Sequence, residues 1–297
     1  MLEDDKDGLH HLIEEELNSN DKILKPDFSK QAGRELLAFY LQSKFRQLIM
    51  YDSKASRPIF RNISEDFLRN FSKRLVVTPE KRIMIGITGE SASGKSTMCK
   101  AISNVIKSFK MPVSILATDS YFNDISDLIA KFGSFDNLRD NGYDVDSPES
   151  FQLDVLKEDL TTLSKGRDIY APQYLPNGTG VSMPKSQFVP SNKIIIVEGM
   201  ATMYETIKDI FDIKVYVETD LDTRKERFLH RAFTERNQDF ENAKKHWDYI
   251  LDAGKKYVQP AREFADVVLN GNTDMEYFCQ LLEYIHTITN NFSGQTL

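Results

Sequence analysis

From position 89 the chain reads Gly89-Glu90-Ser91-Ala92-Ser93-Gly94-Lys95-Ser96-Thr97. Its first eight residues fit the spacing G-x-x-x-x-G-K-[ST] of a loop that holds phosphate oxygens. Glycines let the backbone turn tightly, so that successive N–H groups face inward. A helix starting directly behind them presents its positive end to the anion. Lys95 supplies a point charge for the β- and γ-phosphates, and the Ser96 hydroxyl offers magnesium a hard oxygen. Thr97 supports the start of the helix. The chemistry these residue types imply is phosphoryl transfer from ATP, or GTP, with Mg2+ as the accompanying ion.

Two carboxylates stand where a parallel sheet would bring them to the same place. Asp119 follows Val113-Ser114-Ile115-Leu116-Ala117-Thr118, and Glu198 follows Ile194-Ile195-Ile196-Val197 and precedes Gly199. Ligands of open α/β sheets gather at the carboxyl ends of the strands, so both acids should face the phosphate loop. Asp119 is the candidate for orienting an acceptor hydroxyl and taking up its proton, although Asp at a strand end also makes good turn chemistry. Glu198 is the candidate for holding magnesium, directly or through water. Farther along, Asp222 to Arg236 is predicted as a helix with Arg224, Arg227 and Arg231 on one face. A solvated charged face is the ordinary use of that spacing. Beside a phosphate loop the alternative is a closing segment, whose arginines neutralise charge on the transferring group while closure excludes water.

These residues need a scaffold, and the sequence supplies its pattern from Arg82 onward. Short β-branched runs alternate with longer helical stretches, the signature of a parallel sheet covered on both faces. The predicted strands are Ile83 to Thr88, Val113 to Thr118, Ile194 to Val197, Lys214 to Val217 and Val267 to Leu269. The fold class expected is α/β, a P-loop NTPase-type parallel sheet flanked by helices, with an N-terminal helical appendage. Residues 1–80 form the helical extension and 81–297 the nucleotide-binding domain, with a lid around 222–256. Within the extension, Gly33 to Met50 is predicted as a helix with a broad apolar face, and a second helix is predicted from an N-cap at Ser64 through Leu75. That face is expected to pack on the main domain or on another subunit.

Composition narrows the partners. A net charge of -7 over 297 residues argues against a general nucleic-acid binder, which needs a cationic surface. The start MLEDDKDGLHHLIEEEL is acidic where a signal peptide is basic and then apolar, and no run is apolar for long enough to span a membrane. The expectation is a cytoplasmic protein without membrane or nucleic-acid partners. Its two cysteines, Cys99 and Cys279, lie far apart in predicted helices and read as buried thiols.

With these segments in view, roughly Arg82 to Glu283 resembles the uridine kinase and phosphoribulokinase family. Ile85 to Thr97 looks like its nucleotide loop, and Asp119-Ser120-Tyr121 like its catalytic Asp with the nearby aromatic. Tyr143-Asp144-Val145-Asp146-Ser147-Pro148-Glu149-Ser150-Phe151 is similar to its acidic substrate segment, and Ala171-Pro172-Gln173-Tyr174 to its Pro-x-Tyr strand. Ile196-Val197-Glu198-Gly199 resembles the Glu-Gly strand end, Asp222-Thr223-Arg224 the start of the lid, and Ala265-Asp266-Val267-Val268 the last strand.

The resemblance implies a kinase that phosphorylates a primary hydroxyl of a small metabolite, and it implies self-association into a homo-oligomer. Lys95, Asp119 and Arg231 would carry the transfer, and Arg227 and Arg231 would contact the nucleotide. Asp119, Tyr121, Asp144, Tyr174 and Arg236 would meet the acceptor, and Ser96 and Glu198 the metal. Uridine kinases place a pyrimidine-reading His after the Pro-x-Tyr; this chain has Thr179 near that position, and Phe228 and Gln238 where lid arginines are expected. A nucleoside such as uridine or cytidine is the first acceptor read from the family. A pantothenate-like or sugar-like alcohol, or a nucleotide-binding regulatory protein without turnover, is the alternative.

Overall fold

The computed structural model describes residues 11, 14, 30–52, 59–60, 64–78, 81–175, 178–235 and 238–293. In chain order, helices α1 (Gln31–Asp52) and α2 (Glu65–Val76) precede strand β1 (Ile83–Thr88) and helix α3 (Lys95–Ser108). Strand β2 (Val113–Ala117) follows, then short helices α4 (Ser126–Phe132) and α5 (Phe135–Asp140) and helix α6 (Leu153–Ser164). Strands β3 (Ile169–Tyr174), β4 (Ser182–Val189), β5 (Ile194–Glu198) and β6 (Ile213–Glu218) come next. Helices α7 (Leu221–Thr234) and α8 (Phe240–Ala253), strand β7 (Val267–Asn270) and helix α9 (Met275–Ser293) complete the chain.

Five strands form one sheet in the order β2-β5-β1-β6-β7, every pair parallel. The apolar runs that predict strands are continuous because both faces are covered. Strand periodicity then sorts them. Ile83, Ile85, Ile87, Ile196, Val215 and Val217 pack in one cluster with Met98, Ile102 and Ile106 of α3 and Phe278 and Leu281 of α9. Met84, Ile195 and Val197 point the other way, onto Leu156, Leu160 and Leu163 of α6. Register brings Ile87 level with Glu198 on β5 and Thr88 level with Tyr216 on β6, so the strand ends that flank the loop lie side by side.

The N-terminal helices are part of this core. Leu37, Leu41, Phe45 and Leu48 of α1 and Leu68 and Val76 of α2 are buried in the same cluster as β1 and α3. Ser64 caps α2 as the sequence predicts, its side chain accepting a hydrogen bond from Phe67 N–H. Arg74 of α2 reaches Asp212 at 2.8 Å, and Asp212 also accepts from the Met84 backbone of β1. Phe60 pairs antiparallel with Val267, and Val268 N–H donates to Ile59, so the sheet edge at β7 has a covering segment.

Two predicted elements shift slightly. Thr118 leaves the strand for a 3-10 turn, Thr118–Tyr121. The arginine helix starts at Leu221 under an N-cap at Asp220 and ends at Thr234. Strands β3 and β4 form a separate antiparallel hairpin beside the main sheet. Cys99 is buried, and Cys279 only half-buried. Among the described residues no helix is long and apolar enough to cross a membrane.

Candidate active site

The phosphate loop leaves the carboxyl end of β1, the middle strand. At Gly89 φ is +150°, and a Cβ there would lie 2.2 Å from the Val217 carbonyl oxygen, so only glycine lets β1 and β6 close up behind the loop. Ala92 and Gly94 also have positive φ, 62° and 98°. Gly94 caps α3 without a side-chain hydrogen bond, so the first turn offers its N–H groups to an anion. The Ser93 hydroxyl is buried with no hydrogen-bond partner, close to Gly89 at the back of the loop.

Around this cradle the sequence-predicted residues converge. Lys95 lies across the loop, its Nζ donating to the Glu90 carbonyl at 2.9 Å. The Ser96 hydroxyl donates to Glu198 Oε1 at 3.2 Å, which joins the two candidate magnesium residues. Burial holds the Lys95 ammonium below its ordinary value, opposed by the charges of Asp119 and Glu198. Burial pushes the Glu198 carboxyl up, and Asp119 nearby pushes it further. Asp119 is exposed on the turn after β2. A hydroxyl and a carboxylate of this kind are the hard oxygens magnesium takes, and the nucleotide phosphates supply the rest of such a shell. The residues therefore fit the ion.

The arginines of α7 divide their tasks. Arg224 is buried, not on a solvated face: it pairs with Glu90 at 2.7 Å, donates to the Ser91 carbonyl at 3.1 Å and lies over the Trp247 ring. Arg227 stands beside Gly94 and donates to Asn272 at 2.7 Å. Arg231 is exposed, and its charge bears on Lys95. Phe228 fills a cluster with Ala92 of the loop, Ala232 and Trp247, so it fastens α7 and α8 to the loop. Gln238 donates to Asp136 of α5 and meets His246 of α8, joining those two helices.

On the acceptor side, Asp144 is exposed, with Oδ2 accepting from the Tyr257 hydroxyl at 2.8 Å. A cavity of about 290 Å³ opens there, lined by Tyr143, Asp144, Asp146, His246, Asp252 and Lys256 among others. Tyr174 ends β3 and continues a line of rings through Phe122 and Phe151 to Tyr204. Burial pushes the Tyr174 phenol up to about 12. Tyr121 corrects the sequence reading: it is fully buried with its hydroxyl on Asp159 at 2.7 Å, so it supports the turn from beneath and cannot line the acceptor pocket. Arg236 lies outside the described residues. Tyr257, Gln259 and the Glu90–Arg224 pair were missed; the sequence holds no local signal for contacts between residues so far apart along the chain.

A parallel sheet whose middle strand runs through a glycine loop into a helix, with carboxylates at the ends of neighbouring strands, defines the P-loop class of nucleotide-binding folds. Residues 84–276 match the model of the Phosphoribulokinase / Uridine kinase family, and the chain belongs to that family. A uridine kinase of Staphylococcus haemolyticus is 31% identical over 188 residues, 63% of this chain and 86% of that one. Uridine-cytidine kinase-like 1 of Mus musculus is 32% identical over 64% of this chain, and uridine-cytidine kinase A of Dictyostelium discoideum 28% identical over 65%. Those matches span only 34% and 36% of the two longer relatives. A solved phosphoribulokinase from Rhodobacter spheroides superposes with a TM-score of 0.49 at 14% identity, over 66% of this chain and 74% of that one.

Proposed function

We propose that the chain is an ATP-dependent kinase that transfers the γ-phosphoryl group to a hydroxyl of a small metabolite. The carrying observation is the convergence of Lys95, Ser96, Glu198 and Asp119 at the carboxyl ends of β1, β5 and β2. The loop amides and Lys95 hold the β- and γ-phosphates. Ser96 and Glu198 would hold magnesium, which would supply charge neutralisation at the phosphate oxygens. The acceptor oxygen bonds to the γ-phosphorus, the bond from that phosphorus to the β–γ bridging oxygen breaks, and the hydroxyl proton passes to Asp119. Arg231 and Arg227 offset charge on the moving group.

For the acceptor we propose a pyrimidine nucleoside, uridine or cytidine. The names of the relatives support this, as does Tyr174 at the end of a line of aromatic rings, able to hold a base. Asp144 would take the ribose hydroxyls. Thr179 near the position of the base-reading His favours a second reading, an alcohol without a base. ADP release measured with uridine, cytidine, pantothenate, ribulose phosphate and glycerate separates the two. Turnover with a nucleoside supports the first reading, turnover with another alcohol alone supports the second, and none with intact ATP binding overturns both.

A further inference from the structure

Directly after α8 the chain winds into a π-helical turn, Gly254–Val258, an uncommon conformation that recurs at functional sites. That turn and the next residue touch both halves of the site. Gly254 lies so close to the phosphate loop that a Cβ would come within 2.6 Å of Glu90 Oε1, and Gln259 donates to the same oxygen at 3.3 Å. Between them, Tyr257 donates its hydroxyl to Asp144 Oδ2. The other oxygen, Oδ1, accepts from the Asp146 backbone at 3.3 Å. Asp144 is exposed, so water would satisfy it without help; two protein donors instead fix the plane of its carboxylate at the cavity wall. The Tyr257 ring is half-buried against the apolar cluster of Met203 and Val258, which fixes its direction, and Lys256 lies over its face at 4.6 Å.

We infer that Tyr257 is a positioning residue, which acts through Asp144 to set the acceptor in register with the nucleotide loop gripped by the same turn. This deepens the kinase reading above and rests on it. With Tyr257→Phe the expected result is an acceptor KM raised about tenfold, the loss for one hydrogen bond to a charged group. Nucleotide KM and Tm should stay near wild type, and kcat should change less than acceptor KM. In an Asp144→Asn background the same change should add little, because the carboxylate it orients is gone. An unchanged acceptor KM, a full additive loss in the double variant, or an equal loss of nucleotide affinity overturns the inference.

A readout without turnover keeps the two proposals apart. In protein carrying 3-fluorotyrosine, the 19F resonance absent from Tyr257→Phe should move in Asp144→Asn; a resonance that stays put removes the contact and the inference with it. Wild-type protein that phosphorylates no acceptor while that resonance does move overturns the kinase reading, and the positioning role in catalysis falls with it.

Discussion

At the scale of single residues, Asp119 and Glu198 are both acids at strand ends, and their surroundings separate them. Asp119 is exposed on its turn, open to an incoming hydroxyl, whereas burial pushes Glu198 up and Lys95 and Ser96 pull it back. Asp119→Asn should leave nucleotide binding intact and lower turnover by about 100-fold or more, the usual worth of a positioned proton acceptor; steady-state kinetics with equilibrium ATP titration checks this. Glu198 gives a pH-dependent outcome. Its folded value lies above its unfolded one, so its contribution to stability is full below the ordinary carboxylate range and is lost as pH rises through the folded value. Glu198→Gln should therefore raise the Tm of nucleotide-free protein at neutral pH, and the gain should shrink as pH falls into the ordinary carboxylate range. Calorimetry across that range checks the sign, and turnover with magnesium should fall in the same variant.

At the scale of elements, α7 and α8 are fastened to the loop by a buried ion pair and an aromatic cluster. Removing Glu90 strands the Arg224 guanidinium, whose Nη2 is already without a hydrogen-bond partner. Glu90→Ala should cost about 3–5 kcal/mol in urea unfolding, because an uncompensated buried charge remains. Phe228→Ala should cost a similar amount, about 3–5 kcal/mol, through the cavity it leaves. The phosphate loop, the five parallel strands and the Ser64 cap were legible in sequence because each is a local pattern of residue types. The task of Arg224 was not: three-and-four spacing places it near Arg227 and Arg231, but only the packing of Trp247 and Glu90 makes it buried. Tyr121 misled for the same reason, since adjacency to Asp119 says nothing about which side of the turn it faces.

At the scale of the whole molecule, α1 and α2 close the face of the sheet that α3 and α9 leave open, and Arg74 ties them to the β1–β6 side through Asp212. Leu41 is fully buried there, so Leu41→Ala should cost about 2–5 kcal/mol and lower the midpoint for the nucleotide-binding core as well. Coincident transitions by far-UV signal and by nucleotide release are expected; a separate early transition would show that these helices unfold alone. Everything proposed for function depends on an acceptor hydroxyl meeting a phosphoryl group between the loop at 89–97 and Asp119. The most direct measurement is transfer of label from γ-labelled ATP to an acceptor from the panel, for wild type, Lys95→Ala and Asp119→Asn, with ATP binding followed in parallel. Wild type should yield labelled acceptor, Lys95→Ala should lose both binding and transfer, and Asp119→Asn should keep binding and lose transfer. Transfer by Asp119→Asn at the wild-type rate would rule out Asp119 as the proton acceptor.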